Sequence, residues 1–140
     1  MNKIDIYVRF CETDAGGHVS NTSYFLYFEE ARTKFFEAIG FGPKKRSINF
    51  IVAQTECDFL AQAYAGQTLT VTTKVSKIGT KSYTMAHKIK ESETGIVIAT
   101  GSAVIVCFNF QEQGTELIPN QLRSELEKNM ETGNLKEHAT

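Results

Sequence analysis

The sequence predicts an α+β domain in which one long helix packs against one antiparallel sheet. Three observations lead there. An alternating strand pattern opens the chain, and a single long amphipathic helix pattern follows it. Four more period-two segments then succeed one another, with turn residues and not helices between them.

Taken in order, "IDIYVRF" puts Ile4, Ile6, Val8 and Phe10 on one face and Asp5, Tyr7 and Arg9 on the other, the period of a strand. After a loop at 12–20, Tyr24, Tyr27, Phe28, Ala31, Phe35, Ala38 and Ile39 recur at spacings of three and four, one face of a helix. Ser20 or Asn21 can cap its start, and Gly40 with Pro43 can end it. About 18 residues give a helix of roughly 27 Å, enough to span a small sheet. From Phe50 onward Ile51, Ala53, Cys57, Phe59 and Ala61 share one parity. "QTLTVTTKVSKIG" and "SYTMAHKIKE" alternate in the same way. "GIVIATGSAVIVCFNF" is nearly apolar on both faces and belongs inside the sheet. "KIGTKS" and "ESETG" read as hairpin turns, and "PNQLRSELEKNME" as a short terminal helix with Pro119 near its start.

The chain has 140 residues, one domain by size, assigned here to 1–130 with a polar tail at 131–140. Its 15 basic and 16 acidic residues nearly balance, which speaks against a general nucleic-acid binder. The basic runs at 43–47 and 74–82 are short, and suit solvated turns or local contact with ligand phosphates. Cys11, Cys57 and Cys107 are odd in number and form no CxxC pair, and His18, His87 and His138 lack metal-ligand spacing. Free thiols in a reducing cytoplasm and no bound metal are therefore expected. No apolar run approaches membrane-spanning length, and the N-terminus alternates instead of forming a signal-peptide core. One helix can cover only one face of a sheet whose inner strand is apolar on both, so a second subunit is expected.

Chemistry concentrates in "CETDAGGHVSNTSYFLYFEEAR", residues 11–32. The first turn of a helix carries unpaired N–H groups and partial positive charge. Gly16 and Gly17 let a ligand approach the backbone, and Asp14 places a carboxylate just upstream. Donors aimed at a developing oxyanion with a carboxylate beside them make a minimal acyl-transfer site. An Asp before a helix also serves commonly as a turn former.

The same stretch resembles the signature of the 4-hydroxybenzoyl-CoA thioesterase family of hotdog-fold acyl-CoA thioesterases, through Thr13-Asp14, Gly17, Val19, Tyr24, Glu29, Ala31 and Arg32. "TECDFLAQAYAGQTLTV" extends the resemblance, with Gln62 and Gln67 where relatives often carry Pro and Asp, and it covers roughly residues 3 to 125. It implies a hotdog fold: a five-stranded antiparallel sheet wrapped around one long central helix, here with a short C-terminal helix, assembled as a homodimer or homotetramer. It further implies acyl-CoA as substrate, no cofactor, Asp14 as nucleophile or general base, and the backbone amide of Asn21 polarising the thioester carbonyl. Gly17, His18, Tyr24 and Ser82 map onto substrate-binding positions.

Other residues carry other readings. His87 shares the parity of Tyr83, Met85 and Ile89 and should pack in the core; Glu29 and Arg32, one turn apart, can pair. Cys57 and Cys107 read as small buried residues, and Cys11 lacks a positioned base. Glu30 and Glu37 on the helix are alternative carboxylates. A non-catalytic hotdog module that binds acyl-CoA or serves as a partner subunit is the alternative function. A dehydratase would need an arrangement that the "AGGH" after Asp14 does not supply.

Overall fold

In the computed structural model residues 1–42 and 49–130 are described. Pro43, the basic run at 43–47 and the tail at 131–140 lie outside them. The elements are β1 (Asn2–Tyr7), a 3-10 turn (Phe10–Glu12), α1 (Asn21–Ala38), β2 (Phe50–Phe59), β3 (Thr68–Ile78), β4 (Ser82–Glu91), β5 (Val97–Asn109), β6 (Gly114–Thr115) and α2 (Asn120–Lys128). The five long strands form one antiparallel sheet in the order β1-β3-β4-β5-β2, wrapped on α1, with the two-residue β6 added beside β5. This is the hotdog plan.

Alternation decides which face is buried. Leu69, Val71, Thr73 and Val75 of β3 and Tyr83, Met85, His87 and Ile89 of β4 point to α1 and are buried. The helix returns Tyr24, Tyr27, Phe28, Ala31 and Phe35 as its spacing predicts, joined by Ser23, Arg32 and Phe36, while Ala38 stays exposed. Each fully buried aromatic or branched side chain contributes about 1.5–3 kcal/mol of transfer free energy. Gly101 sets how closely helix and sheet approach: a Cβ there would collide with the Phe28 ring and the Glu56 carbonyl oxygen. α2 closes the far end, burying Leu122 and Leu126 against Phe35, Tyr83, Met85 and Ile105.

Strand β2 departs from the predicted parity. Its register on β5 slips between Val52 and Gln54, a bulge at Ala53. Phe50, Val52, Thr55, Cys57 and Phe59 therefore share the inner side opposite Cys107, Ile105, Ala103, Gly101 and Ala99, and Ile51 faces outward with Val106. β5 is an inner strand, and Val104 and Val106 make its outer face half-buried and apolar. β2 is the last strand of the sheet, and nearly all of it is exposed.

A buried polar cluster sits between α1 and the sheet. His87 stacks on Phe28 with ring centroids 4.9 Å apart, and its Nδ1 lies 2.9 Å from Thr73 Oγ1. Arg32 Nη1 reaches its Nε2 at 3.5 Å. Because guanidinium can only donate, Nε2 accepts and Nδ1–H donates to Thr73, which fixes a neutral tautomer. Glu29 and Arg32 do not pair: Arg32 turns inward to His87, and no carboxylate lies within 4.0 Å of it among the described residues.

Burial, with the Arg32 charge adding to it, holds the His87 pKa down to about 3 against 6.5 for a free ring. Between those values the unfolded chain binds a proton that the folded chain refuses. This contribution to stability is complete above about pH 6.5 and is lost as pH falls, by up to roughly 1.4 kcal/mol per unit. In urea unfolding from pH 7 to 5, the wild type should lose stability more steeply than His87→Gln, by a difference that approaches one proton per molecule toward pH 5. Parallel curves would show that His87 is not held neutral.

Candidate active site

After β1 the chain makes its 3-10 turn and enters a loop that folds back on itself. The Asp14 amide donates to the His18 carbonyl at 2.8 Å, and the Gly17 amide donates to the Asp14 carbonyl at 3.0 Å. The carboxylate uses one oxygen within the loop: Oδ1 accepts from the amides of Gly16 at 2.9 Å and His18 at 3.3 Å. Oδ2 makes no hydrogen bond among the described residues, and half of the side chain is exposed. One oxygen thus fixes the group and the other is presented outward.

The glycines permit this turn. A Cβ on Gly16 would press on the His18 ring at 3.3 Å and on Asp14 Oδ1 at 3.4 Å, and Gly17 has φ +84°, the left-handed region glycine enters freely. His18 Nδ1 stands 3.9 Å from Asp14 Oδ1, too far to hydrogen-bond, and its ring meets Tyr64 edge-on at 5.4 Å.

Glu12, which the sequence reading passed over, ties this loop to the helix. Its Oε1 accepts from the Arg9 amide at 2.9 Å and the Tyr27 hydroxyl at 3.0 Å. Its carbonyl accepts from the Ser20 amide at 3.0 Å and the Ser23 hydroxyl at 2.8 Å. Burial and then this bond to Glu12 raise the Tyr27 pKa, keeping its hydroxyl a donor.

Ser20 occupies the N-cap of α1, yet its hydroxyl does not cap the helix. It turns to the Glu12 carbonyl at 3.3 Å and shares hydrogen bonds with the hydroxyls of Thr22 and Ser23. The amides of the first turn, Asn21's foremost, are left without a capping side chain. The partial positive charge of an 18-residue helix is therefore unshielded beside the Asp14 loop.

The remaining predicted residues separate. Asp14, Gly17, His18 and Asn21 share this loop and helix start. Tyr24 is buried, packed at 5.5 Å on Phe59, and its hydroxyl lies near the Ala63 backbone without a well-formed hydrogen bond. Burial raises its pKa. Ser82 begins β4 at the end of the sheet opposite the loop, so one chain does not bring it to Asp14. Glu30 and Glu37 point to solvent from α1. Cys107 is buried, Cys57 half-buried and Cys11 exposed, all as free thiols. Lys74 from the second basic run joins Lys3, Lys88 and Lys90 around a groove of about 460 Å³ on the outer sheet face. Among the described residues no His, Cys, Asp and Glu cluster could hold a metal, and no helix is long and apolar enough to cross a membrane.

Comparison with known proteins identifies the family and the fold. The thioesterase-like superfamily matches residues 8–126. The uncharacterized protein YsmA of Bacillus subtilis is 35% identical over 106 residues, 76% of this chain and 70% of that protein. The long-chain acyl-CoA thioesterase FadM of Escherichia coli is 26% identical over 125 residues, 88% of this chain and 95% of its own. A predicted thioesterase from Bacillus stearothermophilus superposes with a TM-score of 0.81 at 33% identity, covering 92% of this chain and 96% of that one. The chain belongs to the thioesterase-like superfamily.

Proposed function

We propose that this protein hydrolyses acyl-CoA thioesters to a free acid and coenzyme A. Thioester hydrolysis is the chemistry of its family, and FadM, a relative over most of both chains, is named for acyl-CoA. The observation that carries the mechanism is the Asp14 carboxylate, held through Oδ1 with Oδ2 free, beside a helix start that no side chain caps. Oδ2 attacks the carbonyl carbon or removes a proton from the attacking water. The first-turn amides, led by Asn21, take the developing oxyanion. The C–S bond then breaks and the thiolate leaves. In the general-base route the thiolate takes up the proton that water gave to Asp14. In the nucleophilic route the acyl group stays on Oδ2 as a mixed anhydride, which water hydrolyses to the free acid, restoring the Asp14 carboxylate and supplying the thiolate's proton. A thiolate is a good leaving group, so a strong acid is not required. General base catalysis supplies roughly 10²–10⁴-fold, and each oxyanion donor about 10²–10³-fold.

The assembly in this reading is a homodimer through β2. Its free edge can continue the sheet, and Ile51, Val52, Phe59, Leu60 and Leu26 are exposed on and beside it. Pairing would also cover the open side of the Asp14 loop, where Tyr64 is exposed, and help exclude water. Two dimers could pair into a homotetramer through the outer sheet face, where Thr100 and Ser102 lie between the lysine groove and Asp58 and Glu56, and Val104 and Val106 continue β5 beyond them. Three free thiols suit a cytoplasmic location.

Thiol release from short, medium, long-chain and aromatic acyl-CoAs tests the function. Turnover of at least one class is expected. Measurable acyl-CoA binding with no release from any of them would favour the non-catalytic binding module.

A further inference from the structure

Beyond the Asp14 loop, α1 and the inner side of β2 enclose a groove of about 250 Å³ lined by Glu29, Arg32, Thr33, Phe36, Phe50 and Val52. Its walls are aromatic and aliphatic, with Phe36 and Phe50 rings 5.5 Å apart. Among the described residues that line it the cationic one is Arg32, which is 8% exposed. A guanidinium so buried ordinarily meets a carboxylate, because an uncompensated buried charge is costly. Here its hydrogen-bond partner is a neutral imidazole at 3.5 Å, and no carboxylate lies within 4.0 Å among the described residues.

We propose that this groove binds a small organic monocarboxylate, the carboxylate on Arg32 and the apolar body between Phe36, Phe50 and Val52. Three features select that class. The planar guanidinium matches a carboxylate fork, and at most one nitrogen is engaged by His87. The volume and walls suit an aryl or short branched body better than a hydrated inorganic ion. Glu29 at the rim adds a negative charge that a monoanion tolerates better than a dianion or polyphosphate. A free acid released by thioester hydrolysis belongs to this class. The site would then sense product, although the binding claim stands on Arg32 and the groove and does not require turnover.

The test is calorimetric titration of the intact protein with benzoate, using benzamide as its neutral isostere and inorganic phosphate as the dianion control. Benzoate should bind at least tenfold more tightly than benzamide, and phosphate should not compete. Arg32→Gln should weaken benzoate at least tenfold. Thr33→Phe, a change at an exposed helix position that fills the groove and spares the guanidinium, should do the same and keeps the test decisive if Arg32→Gln does not fold. Equal binding of benzoate and benzamide, benzoate binding unchanged in Thr33→Phe, or no benzoate binding to folded wild type would overturn the proposal. None of these readouts depends on thioesterase activity, so failure here and failure of the proposed function are separable.

Discussion

Asp14→Asn is expected to lower kcat for acyl-CoA hydrolysis by roughly 10²–10⁴-fold, with little change in stability or assembly. In the proposed mechanism the two carboxylate oxygens divide the labour: Oδ1 holds the loop and Oδ2 reacts. Asparagine keeps an Oδ1 acceptor for the Gly16 and His18 amides, so the turn persists. It replaces Oδ2 with an amide nitrogen that can neither attack nor take a proton. Asp14→Ala removes both functions and should add about 1 kcal/mol of destabilisation for the lost loop hydrogen bonds. Thiol release, thermal unfolding and sedimentation on the same three proteins separate the cases. If Asn retains full activity, Oδ2 is not the reacting atom, and Glu30, Glu37 and His18 become the groups to replace. If Asn and Ala unfold alike well below the wild type, Asp14 is chiefly a turn former.

The expected loss should appear in kcat and not in KM, because no binding role is assigned to Oδ2. That split follows from an interaction made only in the transition state. Glu12 should behave differently. It holds the loop against α1 through Tyr27 and Ser23 without reaching outward, so its removal would blur the position of Asp14 instead of deleting chemistry.

Much of this architecture was legible because it is periodic. The strand alternations and the three-and-four spacing of α1 survive any detail of packing, and they place Phe28, Phe35, Val71, Met85 and Ile89 inside. The bulge at Ala53 was not legible: one extra residue leaves composition unchanged yet turns every later side chain of β2 over. Arg32 was read as a partner for Glu29 because the two stand one turn apart on the helix. Its burial depends on His87 of a strand far along the chain, a contact no local pattern encodes. In the candidate site, Asp14, Gly17, His18 and Asn21 are close in sequence and close in space. Glu12 escaped notice because its partner Tyr27 is 15 residues on. Ser82 was read by resemblance as a substrate-binding position, and within one chain the ten residues of β4 put it at the end of the sheet away from the loop.

The free edge of β2 leads to the second large effect. Ile51→Lys combined with Thr55→Lys should give a folded monomer of about 15.6 kDa and lower kcat/KM by a hundredfold or more. Both residues are exposed in the single chain, so neither substitution disturbs its core. An antiparallel pair of identical strands brings each residue near the same region of its copy, where new lysines meet like charge and where burial would cost desolvation. Activity should fall with assembly, because Asp14 is half exposed in one chain and the proposed dimer would cover it. Sedimentation velocity beside thiol release reads both at once. A monomer with wild-type turnover would mean that one chain holds the complete site. A dimer that persists despite the lysines would move the interface off β2, and the outer sheet face would then be the surface to alter.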